Sequence, residues 1–183
     1  IGGDWYDVIS CDDEHFMFVI GDVSGRGLRA ATVMASLHYA IRAYAAEGDQ
    51  PSAILTKLGA LLDVDSHGHF ATVLCGYVDL VRRKVTMASA GHFAPLMVDR
   101  DGGSYVDIEA GPPIGVKSSA PYRSTTFSVP VQATRLAGTE GRGERRGEHL
   151  DIGLERLRQS AMSQDGGPGS MLTRVITDLI PKG

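Results

Sequence analysis

The chain has 183 residues, of which 43% are hydrophobic, so it can bury one sizeable core but not two ordinary ones, and we expect a single domain over residues 1–183. Its formal net charge is -4, from 18 basic and 22 acidic residues, and this excludes nucleic acid as an expected partner. No apolar run approaches the roughly 20 residues of a membrane-spanning helix, so we expect no membrane partner either.

The first third of the chain predicts a hairpin followed by two helices. Residues 5–10 and 16–20 are apolar, β-prone runs, and the polar stretch between them has the length of a hairpin turn. Apolar residues then recur at helical three-and-four spacing from 31 to 44, which predicts a long helix that ends near Gly48. Pro51, at a first-turn position, introduces a second helix.

The remainder of the chain predicts strands and then helices. The strands are expected at residues 72–80, 85–90, 94–98, 104–108 and 124–129. The first three follow one another through short connections and predict an antiparallel meander. Two further helices are expected at residues 150–162 and 170–180. Because strands and helices do not alternate regularly, the fold class is predicted to be α+β rather than a doubly wound parallel sheet.

The two cysteines indicate the compartment. Cys11 and Cys75 lie far apart in apolar, strand-like runs, which favours small core residues over a disulfide framework or a CxxC metal site. A reducing cytoplasm is therefore the expected location.

The segment most informative about chemistry is FVIGDVSGRG at residues 18–27, in which a hydrophobic strand leads into Asp22 and then into a glycine-rich bend. The residues alone leave three interpretations open. The first is an ordinary strand-to-helix turn with an aspartate cap. The second is a phosphate cradle, which is disfavoured because neither a Lys-Ser/Thr pair nor a GxGxxG spacing is present. The third is a site for a hard divalent cation, since a carboxylate and a following backbone carbonyl supply oxygen ligands.

Five short motifs occur in order along the chain. They read GGDWYD at residues 2–7, GDVSGRG at 21–27, FAT at 70–72, ASAGH at 88–92 and GPPIG at 111–115. Their combination resembles the PPM (PP2C-like) serine/threonine phosphatases of the SpoIIE/RsbU stress-response group. The resemblance implies a sandwich of two antiparallel sheets flanked by helices.

The resemblance also implies a chemistry. Two Mn²⁺ or Mg²⁺ ions would activate a water for attack on a phosphoserine or phosphothreonine. Asp22 matches the bridging metal ligand, and Val23 would contribute its backbone carbonyl. Asp4 matches the family's acidic catalytic position on the first strand, with the alternative that Asp4 and Asp7 are turn or solvent-facing carboxylates. We interpret His92 as a structural histidine, and a catalytic role is the less favoured alternative.

Two places depart from the family's pattern. Where the family has Thr-Asp-Gly after an apolar strand, residues 139–141 read TEG, so Glu140 stands at a metal-ligand position with a side chain one methylene longer. The family's last acidic strand would follow Gly183, and we therefore expect a fragment of a longer multidomain chain. His67 and His69 have no third ligand at a zinc spacing and are interpreted as loop residues.

The expected function is dephosphorylation of a phosphorylated anti-anti-sigma factor, a STAS-type protein, in a partner-switching stress pathway. Fusion to sensory PAS or GAF domains and to an anti-sigma kinase is implied by the same resemblance. The alternative is a degenerate or truncated phosphatase fold that binds such a partner without catalysis. The intact Asp22 segment favours the first function, and Glu140 favours the second. An unrelated α+β enzyme would have to produce the ordered motifs by accident.

Overall fold

A computed structural model of the chain describes residues 3–98, 103–128 and 134–136. Within these residues, one compact unit contains 3–93 and 108–128, and a second contains 94–98, 103–107 and 134–136. The described strands are β1 (Asp4–Ser10), β2 (His15–Val23), β3 (Ala71–Asp79), β4 (Lys84–Ala90), β5 (Leu96–Val98), β6 (Gly103–Tyr105), β7 (Ala110–Gly111), β8 (Thr125–Ser128) and β9 (Thr134–Leu136). The described helices are α1 (Leu28–Ala46), α2 (Pro51–Gly59) and α3 (Val64–His67).

The first unit is built on a six-stranded sheet in the order β1-β2-β3-β4-β7, with β8 also paired to β4. Every pairing in it is antiparallel except the short parallel contact between β4 and β7. The second unit has a three-stranded antiparallel sheet in the order β6-β5-β9. The predicted mixture of antiparallel sheets and separate helices is therefore present.

The predicted hairpin and the first two helices are confirmed, but the meander is wrong in its third strand. Residues 94–98 were expected beside β4, whereas β5 pairs with β6 and β9 in the second sheet. The free edge of β4 is taken by β8 and β7 instead. Pro95, just before β5, has no N–H to donate to a ladder, which favours a break in pairing at this point.

Helices α1 and α2 cover one face of the first sheet. The buried residues of α1 are Ala30, Leu37, Ile41 and Ala45. They join a core with buried residues of β2 such as Met17 and Val19. Pro51 occupies the first turn of α2, where its missing N–H is not needed for helical hydrogen bonding. Each large side chain fully buried here contributes about 1.5–3 kcal/mol relative to exposure.

Strand alternation in β2 separates two kinds of side chain. Met17, Val19 and Val23 belong to the core with the helices. Side chains of successive strand residues point to opposite faces, so Ile20 and Asp22 lie on the face away from the helices. Because β2 continues to Val23, Asp22 lies inside the strand rather than in the loop after it.

The two cysteines have different environments. Cys75 is fully buried in β3, as predicted, and burial raises the pKa of its thiol to about 12. The prediction of a core position is wrong for Cys11, which is exposed because β1 ends at Ser10.

No helix in the described part of the chain is long and apolar enough to cross a membrane. The helices predicted at 150–162 and 170–180 lie outside the described residues.

Trp5 and Gly21 face each other across β1 and β2. A Cβ atom added to Gly21 would lie 2.2 Å from a ring carbon of Trp5. The absence of a side chain at position 21 therefore leaves the space that the buried indole occupies.

We expect Gly21→Ala to lower the free energy of unfolding by about 1–3 kcal/mol, because the added methyl group must displace a buried ring. The matched control is Gly59→Ala in α2, where the nearest side-chain atom would be 3.9 Å from the new Cβ. The control should leave stability unchanged or raise it by up to about 1 kcal/mol. Urea denaturation followed by circular dichroism measures both, and equal effects of the two substitutions would contradict the steric argument.

Candidate functional site

Three polar residues lie side by side across β1, β2 and β3. Asp4 is directly opposite Asp22, and Asp22 is directly opposite Thr72. Directly opposite residues of an antiparallel pair share one face of the sheet, with Cβ atoms about 4.5–5.5 Å apart. Two carboxylates and one hydroxyl are thus placed together on the face away from the helices.

The pairing of Asp4 with Asp22 fits a cation. Asp4 is exposed and Asp22 is partly buried. Like charges directly opposite each other destabilise a sheet, and a divalent cation between them removes that repulsion. Carboxylate oxygens are the ligands that Mg²⁺ and Mn²⁺ prefer. The donors at this end of the hairpin are therefore the right type for a hard divalent cation.

The backbone at Val23 lies close to the chain before β1. The N–H of Val23 donates to the carbonyl of Gly3 at 3.1 Å. A Cβ added to Gly3 would lie 2.1 Å from the carbonyl oxygen of Val23, so this approach requires glycine. The Val23 carbonyl thus lies next to Asp22 in the chain and against Gly3. Its role as a metal ligand stays a prediction.

The bend after β2 is held by residues that precede β3. The N–H of Ser24 donates to the carbonyl of Phe70 at 2.8 Å, and the N–H of Phe70 donates to Ser24 Oγ at 3.0 Å. His69 Nδ1 lies 2.7 Å from the carbonyl oxygen of Ser24, which can only accept, so Nδ1 carries the proton. These hydrogen bonds fix the backbone directly after Asp22 and Val23.

His69 was expected to be an ordinary loop residue, and the structure gives it a part in holding this bend. The serine in the motif GDVSG and the histidine just before FAT were the signals available in the sequence. Their 45-residue separation hid the contact.

His92 is buried, with 3% of its surface exposed. Its Nδ1 atom lies 3.0 Å from the hydroxyl oxygen of Thr72. The sequence singled out His92 within the motif ASAGH but did not connect it with Thr72. The pairing of β2 with β3 places Thr72 opposite Asp22, and His92 contacts Thr72.

The two aspartates of β1 lie on different faces. Asp7 turns towards α1 and accepts hydrogen bonds from His38 Nε2, at 2.7 Å, and from Arg42. Its side chain is 16% exposed, so the solvent-facing interpretation is wrong for Asp7. Burial raises the pKa of the Asp7 carboxyl, but the hydrogen bonds from His38 and Arg42 outweigh burial and hold that pKa below its ordinary value of 3.8.

No group of three His, Cys, Asp or Glu side chains lies close enough to hold a metal ion among the residues that the structure describes. Asp4 and Asp22 provide two carboxylates. Glu140, the third carboxylate predicted from the sequence, lies outside the described residues.

Comparison with known proteins gives the family. The family described as Stage II sporulation protein E (SpoIIE) matches residues 12–183. The chain belongs to the SpoIIE family. The resemblance found in the sequence motifs is therefore confirmed, and the domain is a PP2C-like phosphatase domain of the SpoIIE/RsbU type.

Individual relatives agree with this SpoIIE-family assignment. Phosphoserine phosphatase RsbP of Bacillus subtilis (strain 168) is 25% identical over 146 residues, which cover 77% of this chain and 36% of RsbP. The crystal structure of the RsbU and RsbW domains of Rv1364c from Mycobacterium tuberculosis is 27% identical, with a TM-score of 0.82, and the match covers 98% of this chain and 51% of that one.

A solved SpoIIE structure shows the fold. The PP2C phosphatase domain of SpoIIE from Bacillus subtilis, solved with a fragment of its regulatory domain, has a TM-score of 0.83 at 14% identity. That match covers 97% of this chain and 53% of the solved chain. The predicted α+β, PP2C-like fold class is confirmed. The chain thus spans about a third of RsbP and about half of each of the two solved chains.

We expect the hydrogen bonds from His38 and Arg42 to Asp7 to make the free energy of unfolding depend on pH in the acid range. A carboxyl whose folded pKa is lowered contributes stability above its unfolded pKa and loses it as pH falls through the folded value. Asp7→Asn should therefore lower the free energy of unfolding by about 1.5–3 kcal/mol at pH 7 and have a smaller effect at pH 2–3.

Urea denaturation at both pH values measures the difference. Asp13→Asn, at an exposed position in the turn between β1 and β2, is the matched control and should change stability little at either pH. An Asp7→Asn effect of the same size at pH 7 and pH 2–3 would contradict the assignment.

Proposed function

We propose that the chain is a Mn²⁺- or Mg²⁺-dependent phosphatase acting on phosphoserine or phosphothreonine in a protein. The observation that carries the proposal is the register that sets Asp4 and Asp22 opposite each other at the end of the first hairpin, in a member of the SpoIIE family. The relative RsbP is named a phosphoserine phosphatase, which supports the same reaction class.

In this proposal Asp22 is the central metal ligand, with the Val23 carbonyl beside it and Asp4 across the hairpin. Glu140 is proposed as a further carboxylate ligand, with a side chain one methylene longer than that of aspartate. When bound, the metal lowers the pKa of a coordinated water and neutralises charge on the phosphoryl group.

The chain's own contribution is to hold these oxygen atoms in place. Asp22 is paired on both sides, with β1 and with β3, so its backbone cannot shift without breaking two ladders. The hydrogen bonds between Ser24 and the residues before β3 fix the bend that follows. A ligand on rigid strands keeps its position before substrate arrives, which is what preorganised electrostatic catalysis requires.

The proposed substrate is a phosphorylated anti-anti-sigma factor of the STAS type. Similarity to RsbP and to a chain that contains RsbU and RsbW domains supports this proposal. We propose that the chain is part of a longer protein that also has sensory PAS or GAF domains and an anti-sigma kinase domain. The proposed location of this protein is the cytoplasm.

A second function is favoured by one observation. Residue 140 is glutamate where the family's pattern has aspartate, so its carboxylate is carried on a side chain one methylene longer. A domain that binds the phosphoprotein without hydrolysing it would need no complete metal site.

The test is Mn²⁺ titration by calorimetry together with hydrolysis of a phosphoserine peptide. We expect saturable binding and turnover in the wild type. Asp22→Asn should weaken Mn²⁺ binding by more than about 100-fold, because loss of an outer-sphere partner alone costs 10–100-fold. Asp13→Asn removes the same charge at an exposed position and should change neither quantity.

Three results separate the alternatives. Loss of binding and turnover in Glu140→Gln, with wild-type activity intact, would support Glu140 as a ligand. Wild-type protein that neither binds Mn²⁺ nor hydrolyses the peptide would overturn the phosphatase proposal. Binding of the phosphopeptide without hydrolysis would then support the non-catalytic function.

A further inference from the structure

Three buried polar residues in β3, in β4 and just after β4 are joined by hydrogen bonds, and one of them lies opposite Asp22. Thr72 is 7% exposed, Ser89 is 2% exposed and His92 is 3% exposed. Buried polar groups destabilise a fold unless they are hydrogen-bonded, and a fully bonded group makes its surroundings rigid. We call Thr72, Ser89 and His92 the buried polar group.

Ser89 holds the backbone of His92 from both sides. Its hydroxyl donates to the carbonyl of His92 at 2.8 Å and accepts from the N–H of His92 at 3.1 Å. These two hydrogen bonds restrict the backbone that carries the imidazole. The ring then reaches across to β3, where Nδ1 lies 3.0 Å from Thr72 Oγ1.

Thr72 is the link between this group and the candidate site. It is directly opposite Asp22, so its hydroxyl and the Asp22 carboxylate lie on the same face of neighbouring strands. A threonine hydroxyl has one hydrogen to donate and two lone pairs to accept with. If Nδ1 of His92 donates to Thr72, the hydroxyl hydrogen of Thr72 is left for a carboxylate.

We propose that Thr72 and His92 are positioning residues, which orient the Asp22 carboxylate through a hydrogen-bond chain from His92 Nδ1–H to Thr72 and from the Thr72 hydroxyl to Asp22. This inference rests on the proposed function, because the oriented carboxylate is the proposed metal ligand. Carboxylates that bind metals are themselves held by hydrogen bonds, and losing such an outer partner typically costs 10–100-fold in metal affinity.

The proposed hydrogen-bond chain also predicts which substitutions at positions 72 and 92 retain Mn²⁺ affinity. Serine at position 72 keeps the hydroxyl, whereas valine keeps the shape of threonine without it. Asparagine at position 92 carries an amide N–H at the same number of bonds from the backbone as Nδ1, whereas leucine has no donor. A structural role that depended on volume alone would not separate serine from valine in this way.

The experiment measures Mn²⁺ affinity by calorimetry, with thermal unfolding in EDTA as a check on folding. Thr72→Val and His92→Leu should weaken Mn²⁺ binding about 10–100-fold, and Thr72→Ser and His92→Asn should stay within about threefold of the wild type. Thr86→Val is the control, because it removes a hydroxyl that bonds Thr126 at 2.8 Å elsewhere on the same sheet.

The outcomes distinguish this inference from the proposed function. If the wild type binds Mn²⁺ and Thr72→Val binds it equally well, or Thr72→Ser binds as poorly as Thr72→Val, the positioning role is overturned alone. If the wild type does not bind Mn²⁺, the proposed function and this inference both fall. Should His92→Leu not fold, the comparison of valine with serine at position 72 decides the question.

Discussion

The antiparallel register of β1, β2 and β3 is the constraint on which the rest of the structure depends. In this register Asp4, Asp22 and Thr72 form one row on the face of the sheet away from the helices. A slip of one residue would turn every side chain of a strand to the opposite face. Asp22 would then enter the apolar core beside the helices, where an unpaired carboxylate is strongly destabilising.

The register is itself set by packing. The buried side chains of β2, including Met17 and Val19, must face α1 and α2, and this leaves the alternate positions for Ile20 and Asp22. The indole of Trp5 packs against Gly21, where a Cβ atom would lie 2.2 Å from the ring, and this matches β1 to β2 at one point. The apolar core and the polar row are thus two results of one strand pairing.

The two ends of α1 are attached to the first sheet in different ways. Its first residue, Leu28, follows the glycine-rich bend after β2, and Ser24 in that bend is tied to the residues before β3. In the second half of the helix, His38 and Arg42 hold Asp7 on β1. One hairpin therefore carries Asp4 and Asp22 on one face and binds a helix through Asp7 on the other face.

The amino-acid sequence alone determined the first hairpin, the long helix, the helix begun by Pro51 and the prominence of Asp22, because apolar periodicity and proline position act over a few residues. It could not determine that residues 94–98 join a second sheet, since strand partners are chosen by which edges are free in the folded chain. It also could not say which of Asp4 and Asp7 faces the helices, because apolar residues of β1 fall on both faces of the strand. The contacts of Ser24 with His69 and of Thr72 with His92 were decided only by the tertiary structure, because hydrogen bonds between residues 45 and 20 positions apart form only after the strands have paired.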